Sequence, residues 1–135
     1  MEKCLDERVA EIEQDFSELE EWMDKYQYLV ELGKETDTLN DDEKNDETLI
    51  RGCQSQVWIL AEKRDGRIYF RGDGDAIIVK GIVSLLMKTV SGCTIDEVRR
   101  CDFSFVERIG LREHLTPTRS NGVLSMIERI KRLAE

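Results

Sequence analysis

The residue types best suited to chemistry surround Cys53, in the run Gly52-Cys53-Gln54-Ser55-Gln56-Val57-Trp58-Ile59. A glycine and a thiol stand just before an apolar stretch with strand character. Three polar residues, Gln54, Ser55 and Gln56, lie between the thiol and that stretch. Because glycine lets the backbone turn sharply, we expect the thiol to be presented from a loop edge rather than from a core. The thiolate is the reactive form of such a group, so this position is a candidate for sulfur chemistry.

The other cysteines do not add up to a metal site. Cys4, Cys93 and Cys101 form no CxxC pair with Cys53 or with one another, and His114 is the only histidine of the chain. Zinc sites use cysteine and histidine at characteristic short spacings, so the sequence predicts no zinc. Cys93 lies near a predicted helix end and Cys101 closes an amphipathic segment, which favours buried, small hydrophobic side chains at both positions.

The acidic run Gly72-Asp73-Gly74-Asp75 invites a metal or phosphate interpretation. It lacks the additional oxygen ligands and distal glutamate of a calcium loop, and it lacks the lysine of a P-loop. We interpret Asp75 as the N-cap of the following helix, since aspartate is a preferred capping residue. An exposed Asp73 could dock a basic partner.

A second polar run extends from His114 to Gly122, where the last helix is predicted to begin. Helix N-termini favour anions, and Arg119 adds a fixed positive charge at that end. If Cys53 folds against this end, its thiolate or persulfide is stabilised. If it does not, Arg119 binds a loop carbonyl or carboxylate instead, and the sequence leaves both arrangements open.

A thiol hydrolase is a rival hypothesis, because Cys53 is followed by His114 and Asn121 in the order found in thiol proteases. The thiol, however, precedes a strand rather than a helix whose N-terminus would lower its pKa. Little chain is also left to build a substrate cleft. His114 has an unperturbed pKa suited to proton transfer, but a structural hydrogen bond is the simpler role for a lone histidine.

The elements that must position these residues begin with two predicted helices, over residues 6–16 and from Ser17 to about Gly33. Residues 36–47 form a polar, acidic loop. Two strands follow, residues 56–63 and 67–71, joined by a turn at Arg64-Asp65-Gly66. Leu49-Ile50 is a candidate third strand at the sheet edge.

Helices account for the rest of the predicted fold. The helix that starts after Asp75 is apolar on most sides except for a stripe of Lys80, Ser84 and Lys88, so it is predicted to be central, with Gly81 allowing close approach of a neighbour. Capping boxes open short helices at Thr94 and Ser104, and a last helix starts at Thr116-Pro117 or Ser120. The sequence therefore predicts an α+β domain, a small antiparallel sheet of three strands under helices.

Length and charge limit the function classes. The chain has 135 residues and a net charge of −9, which fits a single domain spanning 1–135. Residues 1–47 carry 18 acidic and 5 basic side chains, whereas residues 48–135 carry 11 acidic and 15 basic ones. This balance argues against a nucleic-acid partner, and no apolar run reaches the roughly 18 residues of a membrane span. The first residues look like neither a secretory nor a transit signal, so we expect a cytoplasmic, bacterial protein.

Four blocks in consistent order resemble the SufE-type family of cysteine desulfuration proteins, which are sulfur acceptors in iron–sulfur metabolism. They cover about residues 20–135 and are Tyr26-Gln27-Tyr28-Leu29-Val30-Glu31-Leu32-Gly33, Gly52-Cys53-Gln54-Ser55-Gln56-Val57-Trp58, Gly72-Asp73-Gly74-Asp75-Ala76 with Val79-Lys80-Gly81, and His114-Leu115-Thr116-Pro117-Thr118-Arg119-Ser120-Asn121-Gly122. The resemblance implies a fold similar to IscU-type iron–sulfur scaffolds, and a sulfur carrier rather than a classical turnover enzyme.

The resemblance also implies a chemistry. Cys53 would accept persulfide sulfur from a cysteine desulfurase of the SufS or CsdA type, stimulate that enzyme, and deliver the sulfur to a scaffold of the SufB type. The chain itself would hold no cofactor, because pyridoxal phosphate belongs to the desulfurase. The residues implied to support the acceptor loop or to dock the partner are Gly52, Gln54, Ser55, Asp73, His114 and Arg119. A module that binds the desulfurase without carrying sulfur stays open as an alternative.

Overall fold

The computed structural model describes residues 5–35, 39–51, 55–111, 113, 115 and 117–135. In chain order, the helices and strands within these ranges are α1 (Leu5–Ser17), α2 (Trp22–Glu35), a short 3-10 helix (Asp41–Glu43), β1 (Val57–Arg64), β2 (Arg67–Gly74), α3 (Ile77–Val90), β3 (Cys93–Thr94), α4 (Ile95–Arg100), α5 (Phe105–Arg108) and α6 (Pro117–Leu133). Across the described ranges, the strands form one antiparallel sheet in the order β1-β2-β3, which confirms the predicted α+β class.

The β1–β2 hairpin is confirmed, including its turn. Val57 pairs with Gly74 at one end and Arg64 with Arg67 at the other, so the strands are in register over their full length. Asp65 and Gly66 have φ values of 52° and 78°. Two consecutive residues with positive φ are typical of the turn whose twist matches that of a hairpin, and Asp-Gly is a preferred pair for it. β2 continues three residues beyond the predicted end, to Gly74.

The third strand is not the one that the sequence indicated. Cys93 and Thr94 pair with Ile68 and Arg67 of β2, whereas Leu49 forms only an isolated bridge with Trp58. The expectation of an edge strand at Leu49-Ile50 is therefore wrong. A two-residue strand such as β3 is too short to show alternation, so periodicity could not reveal it. The expected similarity to IscU-type scaffolds stays a prediction.

Helix α3 is the central element, as predicted. It packs on α2, β1 and β2, and ten of its residues are buried: Val79, Gly81, Ile82, Val83, Ser84, Leu85, Leu86, Met87, Thr89 and Val90. Ser84 is among them, so the predicted polar stripe is interrupted by a buried hydroxyl residue. A β-carbon added at Gly81 would lie 2.3 Å from the carbonyl oxygen of Leu29, which shows how closely α2 and α3 approach.

The helix start predicted at Ser17 is wrong, whereas those predicted at Thr94 and Ser104 are confirmed, although Ser104 lacks the predicted capping box. Ser17 is the last residue of α1, where its hydroxyl donates to the carbonyl of Gln14 at 2.7 Å, and α2 begins only at Trp22. Thr94 does form a capping box with Glu97 at the start of α4. Ser104 precedes α5 without a capping hydrogen bond from its side chain, because its own backbone is already helical.

Tyr28 links α2 to α1 and gives the fold a pH dependence. Its ring packs edge-on against Phe16 with 5.0 Å between centroids, and its hydroxyl donates to the Asp15 carboxylate at 2.9 Å. Burial, together with this hydrogen bond, raises the pKa of Tyr28 from 10.0 to about 12. The fold thus favours the protonated phenol. Its contribution is complete below pH 10.0 and is lost as the pH rises toward 12.

We expect this contribution to appear as a difference between the wild type and Tyr28→Phe. The free energy of unfolding of the wild type should fall more steeply with pH between 10 and 12 than that of the variant, which has no phenol to ionise here. Urea denaturation of both proteins at a series of pH values measures this difference. A gap between them that stays constant across this window would contradict the assignment.

Candidate functional site

Ser55, Asp73 and Arg119 are the predicted site residues that the structure describes. Gly52, Cys53, Gln54 and His114 lie outside the described residues. The geometry of the site is therefore built from the chain segments on either side of residues 52–54 and from the elements that hold those segments.

The segments before and after residues 52–54 are paired. The Ile50 amide donates to the Val57 carbonyl at 2.8 Å, and the Ile59 amide donates to the Thr48 carbonyl at 3.0 Å. Arg51, the last described residue before the gap, is exposed, and Ser55, the first after it, is half-buried. Both ends of the segment that contains Cys53 are thus fixed at the same end of the hairpin.

Asp75 closes the end of the hairpin and is not a helix cap, contrary to our interpretation. Its backbone amide donates to the backbone carbonyl of Gln56 at 3.1 Å, and its carboxylate accepts from the backbone amide of Gln56 at 3.1 Å. The residue in the N-cap position of α3 is Ala76, without a side-chain hydrogen bond. Because Gln56 and Asp75 exchange these bonds just beyond the strands, they extend the β1–β2 pairing toward residues 52–54.

Arg119 brings the start of α6 to the same place. One of its terminal guanidinium nitrogens, Nη1, donates to the Ser55 hydroxyl at 3.3 Å. The two residues are 64 positions apart in the sequence. Ser55 stands two positions after Cys53, which lies outside the described residues, so the two arrangements left open by the sequence both stay predictions. The contact holds a permanently charged guanidinium at Ser55.

Asp73 is buried beside two basic side chains of this chain, Lys44 and Lys80. Its side chain is 7% exposed and lies 3.1 Å from Lys44 Nζ and 3.9 Å from Lys80 Nζ. One carboxylate oxygen also accepts from the Gly74 amide at 2.8 Å. Lys44 Nζ lies 5.2 Å from the centroid of the Trp58 ring, within cation–π range. The expectation that Asp73 is exposed is therefore wrong, and its role in docking a partner stays a prediction.

Sequence reasoning missed Lys44, and no local signal could have found it. It follows the 3-10 helix inside the acidic segment interpreted as a loop, and it is 29 positions from Asp73. Only the pairing of β1 with β2, which sets Trp58 opposite Asp73, creates the place that its ammonium group occupies.

Two arginines hold the rest of this segment. Arg129 of α6 donates to the carbonyls of Glu47 at 3.1 Å and Leu49 at 3.0 Å. Arg71 of β2 forms a two-point ion pair with Glu43, and this hydrogen bonding lowers the pKa of the Glu43 carboxyl. Residues 43–50 are thus attached to both the sheet and α6 by charged side chains.

The described thiols are unsuited to nucleophilic chemistry. Cys93 is fully buried, with its sulfur 3.6 Å from the Thr89 carbonyl oxygen, as predicted for a small hydrophobic side chain. Cys101 is half-buried rather than buried, and its sulfur accepts from the Phe103 amide at 3.4 Å. Burial raises the pKa of the Cys101 thiol, which reduces its thiolate fraction at neutral pH. The described part of the chain contains no cluster of three or more His, Cys, Asp or Glu side chains placed to hold a metal ion.

Comparison with known proteins adds a family match to this geometry. Residues 10–134 match the sequence profile of the family described as "SufE: Fe-S metabolism associated domain". An uncharacterized SufE-like protein of Rhizobium meliloti (strain 1021) is 40% identical over 126 residues, which cover 90% of each chain. One from Rhizobium etli is 38% identical over 126 residues, covering 90% of this chain and 85% of the other.

The fold also has a solved counterpart. The solution structure of a hypothetical protein from Thermus thermophilus superposes with a TM-score of 0.79 at 19% sequence identity, over 94% of this chain and 93% of that one. At this identity the likeness concerns the fold alone. Among the described helices, none is both long and apolar enough to cross a bilayer.

Proposed function

The chain belongs to the SufE family of Fe–S metabolism associated domains, and on that premise we propose that it is a sulfur acceptor whose Cys53 receives persulfide sulfur from a cysteine desulfurase. The pyridoxal phosphate of that desulfurase, an enzyme of the SufS or CsdA type, stays on the enzyme. The chain passes the sulfur to an iron–sulfur assembly scaffold of the SufB type and thereby stimulates the desulfurase. We place this exchange in the cytoplasm.

The hydrogen bond between Arg119 and Ser55 is the observation that carries the proposal. Two peptide units separate Cys53 from Ser55, so their Cα atoms are at most about 7 Å apart. The guanidinium held at Ser55 supports the proposal, because Cys53 precedes Ser55 by only two positions in the chain. A nearby positive charge favours the thiolate over the thiol and favours a persulfide anion in the same way.

The transfer is a thiol-exchange displacement. The Cys53 thiolate attacks the terminal sulfur of the desulfurase persulfide, a new S–S bond forms, and the S–S bond of the donor breaks. The desulfurase cysteine leaves as a thiolate, and any proton on the terminal sulfur moves with that sulfur to Cys53. The sulfane sulfur changes carriers without net oxidation or reduction, so the step needs no further reactant.

The decisive experiment is to incubate the wild-type chain with cysteine and a cysteine desulfurase, and then to map the modified residue by mass spectrometry of alkylated peptides. We expect one additional sulfur atom on the peptide that contains Cys53, and none on the peptides with Cys93 or Cys101. Unmodified protein in a reaction where the desulfurase turns over would reject sulfur carriage and favour a binding module. Hydrolysis of an added ester substrate, without sulfur loading, would favour a hydrolase.

A further inference from the structure

We infer that Lys44 is a positioning residue for sulfur transfer, because it fixes the segment before Cys53 to the hairpin that follows it. The Lys44 ammonium group lies between the Asp73 carboxylate, 3.1 Å from Nζ, and the Trp58 ring, 5.2 Å from Nζ to the centroid. Trp58 and Asp73 face each other on β1 and β2. One side chain from a third segment thus joins both strands at the end of the hairpin where Val57 pairs with Gly74.

Burial makes this contact stronger than an ordinary surface ion pair. The Asp73 side chain is 7% exposed and that of Lys44 is 28% exposed, so solvent screens their attraction only weakly. A buried carboxylate without a close cation is costly, and Lys80, at 3.9 Å, is the more distant of the two described partners. Loss of Lys44 therefore leaves the buried charge of Asp73 less well compensated. The fold can lower the resulting energetic cost only by local movement.

That movement is expected in the segment that leads to Cys53. Between Leu39 and Arg51, the described residues with buried side chains are only Leu39, Thr48 and Ile50. The segment depends instead on its polar attachments. These are the Lys44–Asp73 and Glu43–Arg71 pairs, the bonds from Arg129 to the Glu47 and Leu49 carbonyls, and the backbone bonds Ile50–Val57 and Ile59–Thr48. Regions with few buried apolar contacts open most readily, so removing the Lys44 attachment widens the range of positions of Arg51.

Transfer between two proteins is sensitive to such a change. Displacement at sulfur requires the attacking thiolate and the donor persulfide to be close and aligned, and a misplacement of about 1 Å can cost up to roughly 100-fold in rate. Lys44 donates no proton and need not touch the transferred sulfur. Its effect is on how often Cys53 is found in a productive position.

We expect Lys44→Met to lower the rate of sulfur loading on Cys53 about tenfold, measured at a concentration of the variant that saturates the desulfurase. The expectation rests on the same geometric argument. Lys44→Arg should recover most of the rate, because a guanidinium can both pair with Asp73 and stack on Trp58. Lys34→Met is the matched control. Lys34 is an exposed lysine of α2 whose ammonium group lies 3.5 Å from Glu31, and its loss should leave the rate unchanged.

A double variant separates positioning from stability. Lys44→Met/Asp73→Asn removes the uncompensated buried charge together with the attachment, so it should melt closer to the wild type than Lys44→Met does. Its sulfur loading should nevertheless stay low, since the link between segment and hairpin is still absent. Recovery of the transfer rate together with the melting temperature would overturn the inference, and so would a wild-type rate in the single variant.

Two readouts do not depend on the proposed function. Hydrogen exchange at the Ile50 and Ile59 amides should be faster in Lys44→Met than in the wild type, because both amides belong to the pairing that Lys44 supports. Alkylation of Cys53 by iodoacetamide, which requires no docking geometry, should not slow down. Slower alkylation would show that Lys44 acts on thiolate formation instead, and unchanged exchange would refute the anchoring. If the wild type takes up no sulfur, the proposed function fails while these two measurements still decide the role of Lys44.

Discussion

Replacing Cys53 by serine is expected to abolish sulfur loading and to reduce desulfurase turnover to the level seen without this chain. A serine hydroxyl does not ionise near neutral pH and cannot form a persulfide, so the variant has neither the nucleophile nor the carrier atom. The loss should be complete rather than partial, because the described thiols, Cys93 and Cys101, are buried or have a raised pKa. Turnover is measured as alanine release, and loading as labelled sulfur retained on the chain.

Cys101→Ser is the matched control for this experiment. It also replaces one thiol by a hydroxyl, and it lies in a groove of about 330 Å³ between α1, α4 and α5, lined by residues that take no part in the candidate site. We expect it to load sulfur as the wild type does. Full stimulation of the desulfurase by Cys53→Ser would favour the non-catalytic interaction module. Loss of sulfur loading in Cys101→Ser alone would mean that Cys101, and not Cys53, carries the sulfur.

The largest effect on stability is expected for Gly81→Ala. The added β-carbon would lie 2.3 Å from the carbonyl oxygen of Leu29 and 2.7 Å from its carbonyl carbon, and neither atom can rotate away because both belong to the backbone of α2. The two helices must separate, which loosens the central packing of α3. Even after the gain of up to about 1 kcal/mol in helix propensity, we expect a loss of about 3 kcal/mol in the free energy of unfolding. Thermal unfolding should show a fall of roughly 10 °C in the midpoint.

Gly33→Ala tests the same helix pair from the other side. A β-carbon there would lie 3.2 Å from the Gly81 amide nitrogen, a tight contact that a shift of a few tenths of an ångström relieves. The propensity gain offsets much of this strain, so the variant should be close to the wild type in stability. Equal destabilisation by both substitutions would mean that the distance at Gly81 does not decide the outcome.

Local chemistry explains which parts of the fold were predictable. Asp65-Gly66 specifies its turn through two positive φ values, and the flanking apolar alternation specifies the strands. The capping box of Thr94 is equally local. Asp75 was misassigned because a carboxylate before a helix has two uses, as a cap or as an acceptor for a neighbouring strand. Only the position of Gln56 in three dimensions decides between them.

The candidate site was predictable in composition but not in arrangement. The sequence and the family resemblance pointed to Cys53, Ser55 and Arg119, and the structure brings the last two together. Asp73 was identified but was expected to face a partner protein, whereas it is buried against Lys44. A pairing across 29 positions, between a segment without periodicity and the end of a strand, leaves no pattern along the chain. The pairing of Lys44 with Asp73 arises only when the segment that carries Lys44 packs against the paired strands β1 and β2.

The length of the hairpin separates its turn from the end that leads to the candidate site. With eight residues in β1 at about 3.3 Å each, Asp65 lies roughly 25 Å from Val57 at the other end of the strand. Asp65 is exposed, and apart from the adjacent residues of the turn no heavy atom of the described chain lies within 4 Å of a β-carbon added at Gly66. A fluorophore or surface tether attached at Asp65 would therefore leave the opposite tip accessible, so that single encounters with a desulfurase could be watched on an immobilised chain.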